Sequence, residues 1–202
     1  MAKQVQIPDG PTPKKDYDKL LNHLSNSGIW YAGNGSPCSY LIRAKLVKKG
    51  VPEDGLEVLV DGERVWKNPV DEIIVQLHEF LLIDDDEYIN NFVRRAMLGG
   101  KGIFAAKMKL RQKGIPMEAI DSALEDSDFE EAGLEVLEKA LAWSLNTNPV
   151  KREMDKRAKG EHHNLRGAIL KYLNGRGFSF QETQEFLEGH SVFEEPEADN
   201  DF

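Results

Sequence analysis

The stretch KMKLRQKGIP at residues 107–116 ends in a pattern that occurs three times in the chain. Leu46 opens LVKKGVP, Leu110 opens LRQKGIP and Leu173 opens LNGRGFS. All three fit Leu-x-x-(Lys/Arg)-Gly-(Val/Ile/Phe)-(Pro/Ser), with Gly50, Gly114 and Gly177 spaced 64 and 63 positions apart. The residue types describe the end of a helix. The glycine suits the left-handed position just past the last turn, and the next apolar residue folds back over that turn. The preceding base faces the negative end of the helix dipole, and Pro or Ser starts the next helix. Gly50, Gly114 and Gly177 are therefore predicted to be structural joints between helices.

Helical spacing dominates outward from these joints. Ile89, Phe92, Val93, Ala96 and Met97 sit at i, i+3, i+4, i+7 and i+8, and Leu165, Ala168, Ile169, Tyr172 and Leu173 repeat the spacing. Leu134, Leu137, Leu141 and Leu145 form a further stripe. Shorter segments at 17–25, 39–48, 70–80, 103–112 and 117–124 are compatible with helices. Ser179 and Glu182 are spaced as a capping box. Between the first joint and Pro69, LEVLVDGERVW (56–66) alternates apolar and polar residues around Asp61-Gly62, the two-residue signal of a β-hairpin. The expectation is an all-α chain, an elongated curved array of about three tandem three-helix repeats with a hairpin insertion in the first. Units this small must stack to bury their apolar faces. The repeats are placed at 14–80 (insertion 53–68), 81–133 and 134–193. Residues 1–13 and the acidic tail 194–202 are expected to be disordered.

Composition narrows the function. Of 202 residues, 40% are hydrophobic and 30% charged, the net charge is −9, and Cys38 is the single cysteine. No apolar run approaches the roughly 18 to 20 residues of a membrane span. The opening MAKQVQIPDGPTPKKDYDK lacks a secretory apolar core, so a cytoplasmic setting is expected. Charge is segregated. Residues 92–125 hold seven Lys or Arg against three acids, and 151–177 hold eight against three. In contrast, 53–87 hold twelve acids and two bases, and 181–202 hold eight acids and no base. Such blocks mark either solvated faces or contact with a charged partner.

The basic candidates are Arg94, Arg95, Lys101, Lys107, Lys109, Arg111 and Lys113, with Arg166, Lys171 and Arg176 as counterparts in the third repeat. Asp84, Asp85, Asp86 and Glu87 lack the alternation and central glycine of a calcium loop and read as the start of a helix. Gly99, Gly100, Lys101 and Gly102 follow a helix rather than a strand and read as a flexible connection, not a phosphate loop. His162 and His163 point about 100° apart on a helix and cannot share a metal. No nucleophile–base pair, metal set or cofactor loop is recognisable. A non-enzymatic binding protein without metal or cofactor is expected.

Two segments carry a family resemblance. LLIDDDEYINNFVRRAM (81–97) and KMKLRQKGIPMEAIDSAL (107–124) resemble the signatures of the RecX family, bacterial regulators of the RecA recombinase. NLRGAILKYLNGRGFSFQETQEFL (164–187) is similar to the family's C-terminal repeat, and CSYLIRAKLVKKGV (38–51) to its first. The hairpin insertion, the Gly99–Ile103 turn and the acidic balance depart from the family's usual pattern. The resemblance implies a modulator with a place in recombination, repair and the SOS response, and a monomer is expected. It would lodge in the groove of a RecA–single-stranded DNA filament and inhibit strand exchange and ATP turnover through the basic residues. DNA, single- or double-stranded, is a further expected partner. The alternative reading is a helical nucleic-acid-binding module that acts independently of RecA.

Overall fold

The computed structural model describes residues 10–35, 38–125, 127, 129–188 and 190. The predicted tail at 194–202 and residues 1–9 lie outside the described residues. A short strand β1 (Thr12–Pro13) leads into α1 (Lys14–Gly33) and α2 (Ser39–Val47). Strands β2 (Leu56–Val60) and β3 (Glu63–Lys67) follow, and then α3 (Pro69–Glu79). Next come α4 (Asp85–Leu98), α5 (Ile103–Gln112) and α6 (Met117–Leu124). Four helices complete the order: α7 (Phe129–Leu145), α8 (Asn148–Ala158), α9 (Leu165–Gly175) and α10 (Phe180–Glu188). The all-α repeat array with its hairpin is thus present.

The three joints behave as their residue types require. Gly50, Gly114 and Gly177 have φ of +94°, +93° and +87°, the region where a side chain is strained. Their N–H groups donate to Val47, Arg111 and Asn174 carbonyls at 2.9 Å each, and the apolar residues that follow, Val51, Ile115 and Phe178, are buried. Helix starts follow the same logic. Asn68 accepts from the Val70 and Asp71 amides ahead of Pro69, and Ser179 and Glu182 close the expected capping box. Asp84 caps α4 through the Glu87 amide at 2.8 Å. The Asp85 carboxylate reaches a different helix, accepting from the amide and hydroxyl of Ser39 at the start of α2. The acidic run therefore serves two helix starts.

The residues divide into two compact units. One takes in the chain to Ile89 together with Arg111–Ala123; the other takes in Asn90–Leu110 together with the chain from Leu124 onward. Helices α4–α6, which occupy most of the stretch assigned to the second repeat, are shared between the units. In the first unit Val70, Ile73, Ile74 and Leu77 line the buried stripe of α3 and meet Leu24, Ile42 and Leu46. Each such side chain contributes about 1.5–3 kcal/mol by leaving water. Leu56 and Val58 turn the hairpin's inner face onto Tyr17. The Tyr17 hydroxyl donates to Glu72 Oε1 at 2.8 Å, and burial, then Glu72, push its pKa above the ordinary phenol value.

One sequence expectation is corrected here. Thr12 and Pro13 fall in the stretch 1–13 that reads as disordered, yet β1 pairs parallel to β2, with Thr12 opposite Val58 and Pro13 opposite Leu59. The pairing is made by main-chain groups at a sheet edge, where a proline without N–H is tolerated. Two residues carry no periodicity, so nothing in their side chains announces it.

In the second unit, Leu137, Leu141, Val150, Leu165, Ile169, Leu173 and Leu187 form the core. Leu134, assigned to the α7 stripe, is 56% exposed. Helix α8 carries no periodic signal, because NPVKREMDKRA offers one buried residue, Val150, and hence no apolar stripe. Local groups hold it instead. Glu153 accepts from the Asn164 amide at 2.7 Å and pairs with Lys156 at 2.8 Å, and both contacts lower its carboxyl pKa.

Cys38 is buried at the start of α2, and burial, then Asp85, raise its thiol pKa from 9.0 to about 12. Between those values the unfolded chain loses the thiol proton while the folded chain keeps it, so stability falls as pH rises. The expected slope is about −1.4 kcal/mol per pH unit from this group. Urea unfolding between pH 8 and 11 checks this, since Cys38→Ala should show a shallower decline.

Candidate partner-binding surface

The second unit gathers residues that are far apart in sequence. Helix α4 buries Ile89, Val93 and Met97, which leaves Arg94 and Arg95 exposed; Arg94 donates to Asn91 at 3.2 Å. Helix α5 buries Ala106 and Leu110, leaving Lys107 half-buried and Lys109 exposed. The loop between these helices brings Lys101 against Lys109. The Lys109 ammonium beside it, then desolvation, then Arg176 hold the Lys101 pKa below the usual lysine value. The two charged groups that lower the Lys101 pKa, Lys109 and Arg176, are both cations. Like charges this close give the site a positive potential.

Arg176 is the best-fixed member. Its Nη2 donates to the Tyr172 hydroxyl at 2.9 Å and its Nη1 to the Gly99 carbonyl at 3.4 Å. The guanidinium carbon lies 5.2 Å from the Tyr172 ring centroid and 5.8 Å from that of Trp143, within cation–π range. Tyr172 and Trp143 are site residues that reading the sequence misses. The i, i+4 spacing of Tyr172 and Arg176 on one helix is the available signal for the first. Nothing local points to Trp143.

The Gly99–Gly102 loop is a further correction. The sequence reads as a flexible connection, yet Gly100 and Gly102 are buried and packed against main chain and ring. The Gly102 amide donates to the Arg176 carbonyl at 3.0 Å. A Cβ on Gly102 would stand 2.3 Å from the Gly177 carbonyl oxygen, and one on Gly100 would stand 2.1 Å from the Trp143 ring. The glycines are there so that this loop can lie directly on the third joint, which fixes Lys101 beside Arg176.

The remaining candidates are placed separately. Arg166 pairs with Glu188 at 3.3 Å across α9 and α10, an exposed pair of small energy. Lys171 lines a groove of about 670 Å³ between α8 and α9, with Arg152, Glu153, Asn164, Thr147 and Tyr172. Arg111 and Lys113 are exposed and belong to the first unit. The cluster that the structure assembles is therefore Lys101, Lys109 and Arg176, bordered by Trp143 and Tyr172.

Comparison with known proteins bears on this geometry. The family model described as RecX, second three-helix domain, matches residues 84–124, which are helices α4, α5 and α6. A regulatory protein RecX from Streptococcus mutans is 33% identical over 120 residues, covering 59% of this chain and 42% of the relative. One from Streptococcus gordonii is 29% identical over 129 residues, covering 63% and 45%. Residues 84–124 are thus similar to the second three-helix domain of RecX proteins. The chain spans less than half the length of these RecX relatives. The fold agrees. The crystal structure of RecX from Lactobacillus salivarius superposes with a TM-score of 0.61 at 19% identity, covering 85% of this chain and 96% of that one. A second RecX crystal structure gives 0.56 at 21% identity, covering 84% and 72%. Seven of the ten basic candidates, Arg94 through Lys113, fall inside the matched RecX domain, whereas Arg176 reaches the cluster from outside it.

Proposed function

We propose that this chain is a RecX-type, non-enzymatic regulator that binds the RecA–single-stranded DNA filament and inhibits its ATP turnover and strand exchange. The cluster of Lys101, Lys109 and Arg176 carries the reading. Cations gathered at one place, with Lys101 beside Lys109 and Arg176, form a surface for acidic groups, whether filament carboxylates or DNA phosphates. The aromatic border adds faces on which a base or a guanidinium can lie. Binding of this kind makes and breaks no covalent bond.

The test is RecA-driven ATP hydrolysis on single-stranded DNA with increasing amounts of the chain. A dose-dependent fall in hydrolysis with co-sedimentation of the chain and the filament is expected. Unchanged hydrolysis and no co-sedimentation would overturn the proposal. The exposed Phe104 and Trp143 keep a second reading alive, a nucleic-acid-binding module acting without RecA. Salt-sensitive binding to bare DNA, with no dependence on RecA, would favour it.

A further inference from the structure

The hairpin of the first unit has no part in the basic cluster, and its outer strand carries a pattern of its own. Strand β3 ends the sheet, whose order is β1-β2-β3; Glu63–Trp66 are exposed, while Lys67 is half-buried over the Tyr17 ring, 3.7 Å from Glu72. Asp61 and Gly62 have φ of +50° and +89°, a two-residue turn that makes Val60 and Glu63 the hydrogen-bonded pair closing the loop. Alternation then makes Val58–Val65 and Leu56–Lys67 hydrogen-bonded, and Leu59–Arg64 and Glu57–Trp66 not. It follows that Arg64 and Trp66 turn their backbone N–H and C=O groups toward the free edge.

We infer that β3 is a self-association edge, on which a second copy of this chain adds its own β3 antiparallel about a two-fold axis through Val65. The sequence ERVWK is complementary to itself in that one register. Glu63 falls opposite Lys67, Arg64 opposite Trp66, and Val65 opposite its copy, so each favourable pair occurs twice. Main-chain parity agrees. Arg64 and Trp66, whose amides and carbonyls face outward, become the hydrogen-bonded pairs, while Val65 sits in the non-hydrogen-bonded pair on the axis. Sliding two residues toward the turn sets Arg64 against Arg64, which costs energy. Side chains match as well. Trp66 is 61% exposed, and its indole N–H donates to the Asp54 carbonyl at 2.7 Å, which holds the ring ready for a guanidinium to cover it. The charges on β3 guard against indiscriminate edge pairing, yet their order admits a copy of the same strand. A strand pair this short buries less than a stable dimer needs, so the association is reversible and dependent on concentration.

Sedimentation equilibrium of the full chain tests this over about 10 μM to 1 mM, the range of a small interface. The average mass should rise toward twice that of one chain and no further. Arg64→Pro removes an edge-facing N–H without touching the β2 ladder, and should weaken association at least tenfold with unchanged circular dichroism. Glu63→Lys sets like charges opposite each other and should do the same, while adding Lys67→Glu should restore association. If the double variant fails to fold, the Arg64→Pro result decides. A single-chain mass throughout would overturn the inference, as would unimpaired association of Arg64→Pro or growth beyond two chains. A wild-type chain that stays single but binds a synthetic alternating Lys-Val peptide would assign the edge to a basic partner segment instead, since acids crowd residues 53–87.

Discussion

Gly177→Ala should lower the melting temperature of the chain by roughly 10 °C, the largest effect expected of any single methyl group in the second unit. Two penalties coincide at this position. The residue has φ of +87°, which costs about 1–2 kcal/mol for a side chain. Its Cβ would also stand 2.0 Å from the Ala105 Cβ, and overpacking of that kind costs about 1–3 kcal/mol. Gly102→Ala should approach the same loss through the clash with the Gly177 carbonyl. Gly114→Ala has open space around it and should cost only the φ contribution, about 1–2 kcal/mol. Gly175→Ala, inside α9 with nothing nearby, should be neutral or stabilise by up to about 1 kcal/mol. Thermal melts of the four variants give the ranking directly. Equal losses at 114 and 177 would mean that the loop does not lie on the third joint.

If the chain inhibits RecA ATP hydrolysis as proposed, Lys101→Glu with Lys109→Glu should raise the concentration needed for half-maximal inhibition at least tenfold, about 1.4 kcal/mol. Arg176 is left in place because it also holds Tyr172 and the Gly99 carbonyl. The double reversal exchanges one like-charge pair for another and sets both carboxylates near Arg176, so thermal stability should be little changed while the proposed inhibition is lost. Loss of both together would point to a structural role for the lysines. Retained inhibition in a folded protein would remove the cluster from the partner surface.

Much of the fold is legible in local chemistry. The joint at Leu-x-x-(Lys/Arg)-Gly works within one helix turn, so its three occurrences are readable from residue types alone, and Gly50, Gly114 and Gly177 all take the left-handed conformation. The Asp61-Gly62 turn is equally local, and the hairpin stands where the alternation places it. Helix α8 is hidden because one buried valine makes no stripe, and β1 because two residues pair through backbone alone.

The candidate surface divides along the same line. Segregation of Lys and Arg into 92–125 and 151–177 is a property of the chain and marks all three members of the cluster. Charge counting cannot rank the ten bases, because it treats Arg166, neutralised by Glu188, and Lys109, set against Lys101, as equals. Nor can it show that Gly102 and Gly177, distant in sequence, meet backbone to backbone and bring Lys101 beside Arg176. Turn chemistry and helix period act over a few residues and survive in the linear order. Proximity between Lys101, Arg176 and Trp143 is set by how buried faces pack over long separations, and it exists only once the chain has folded.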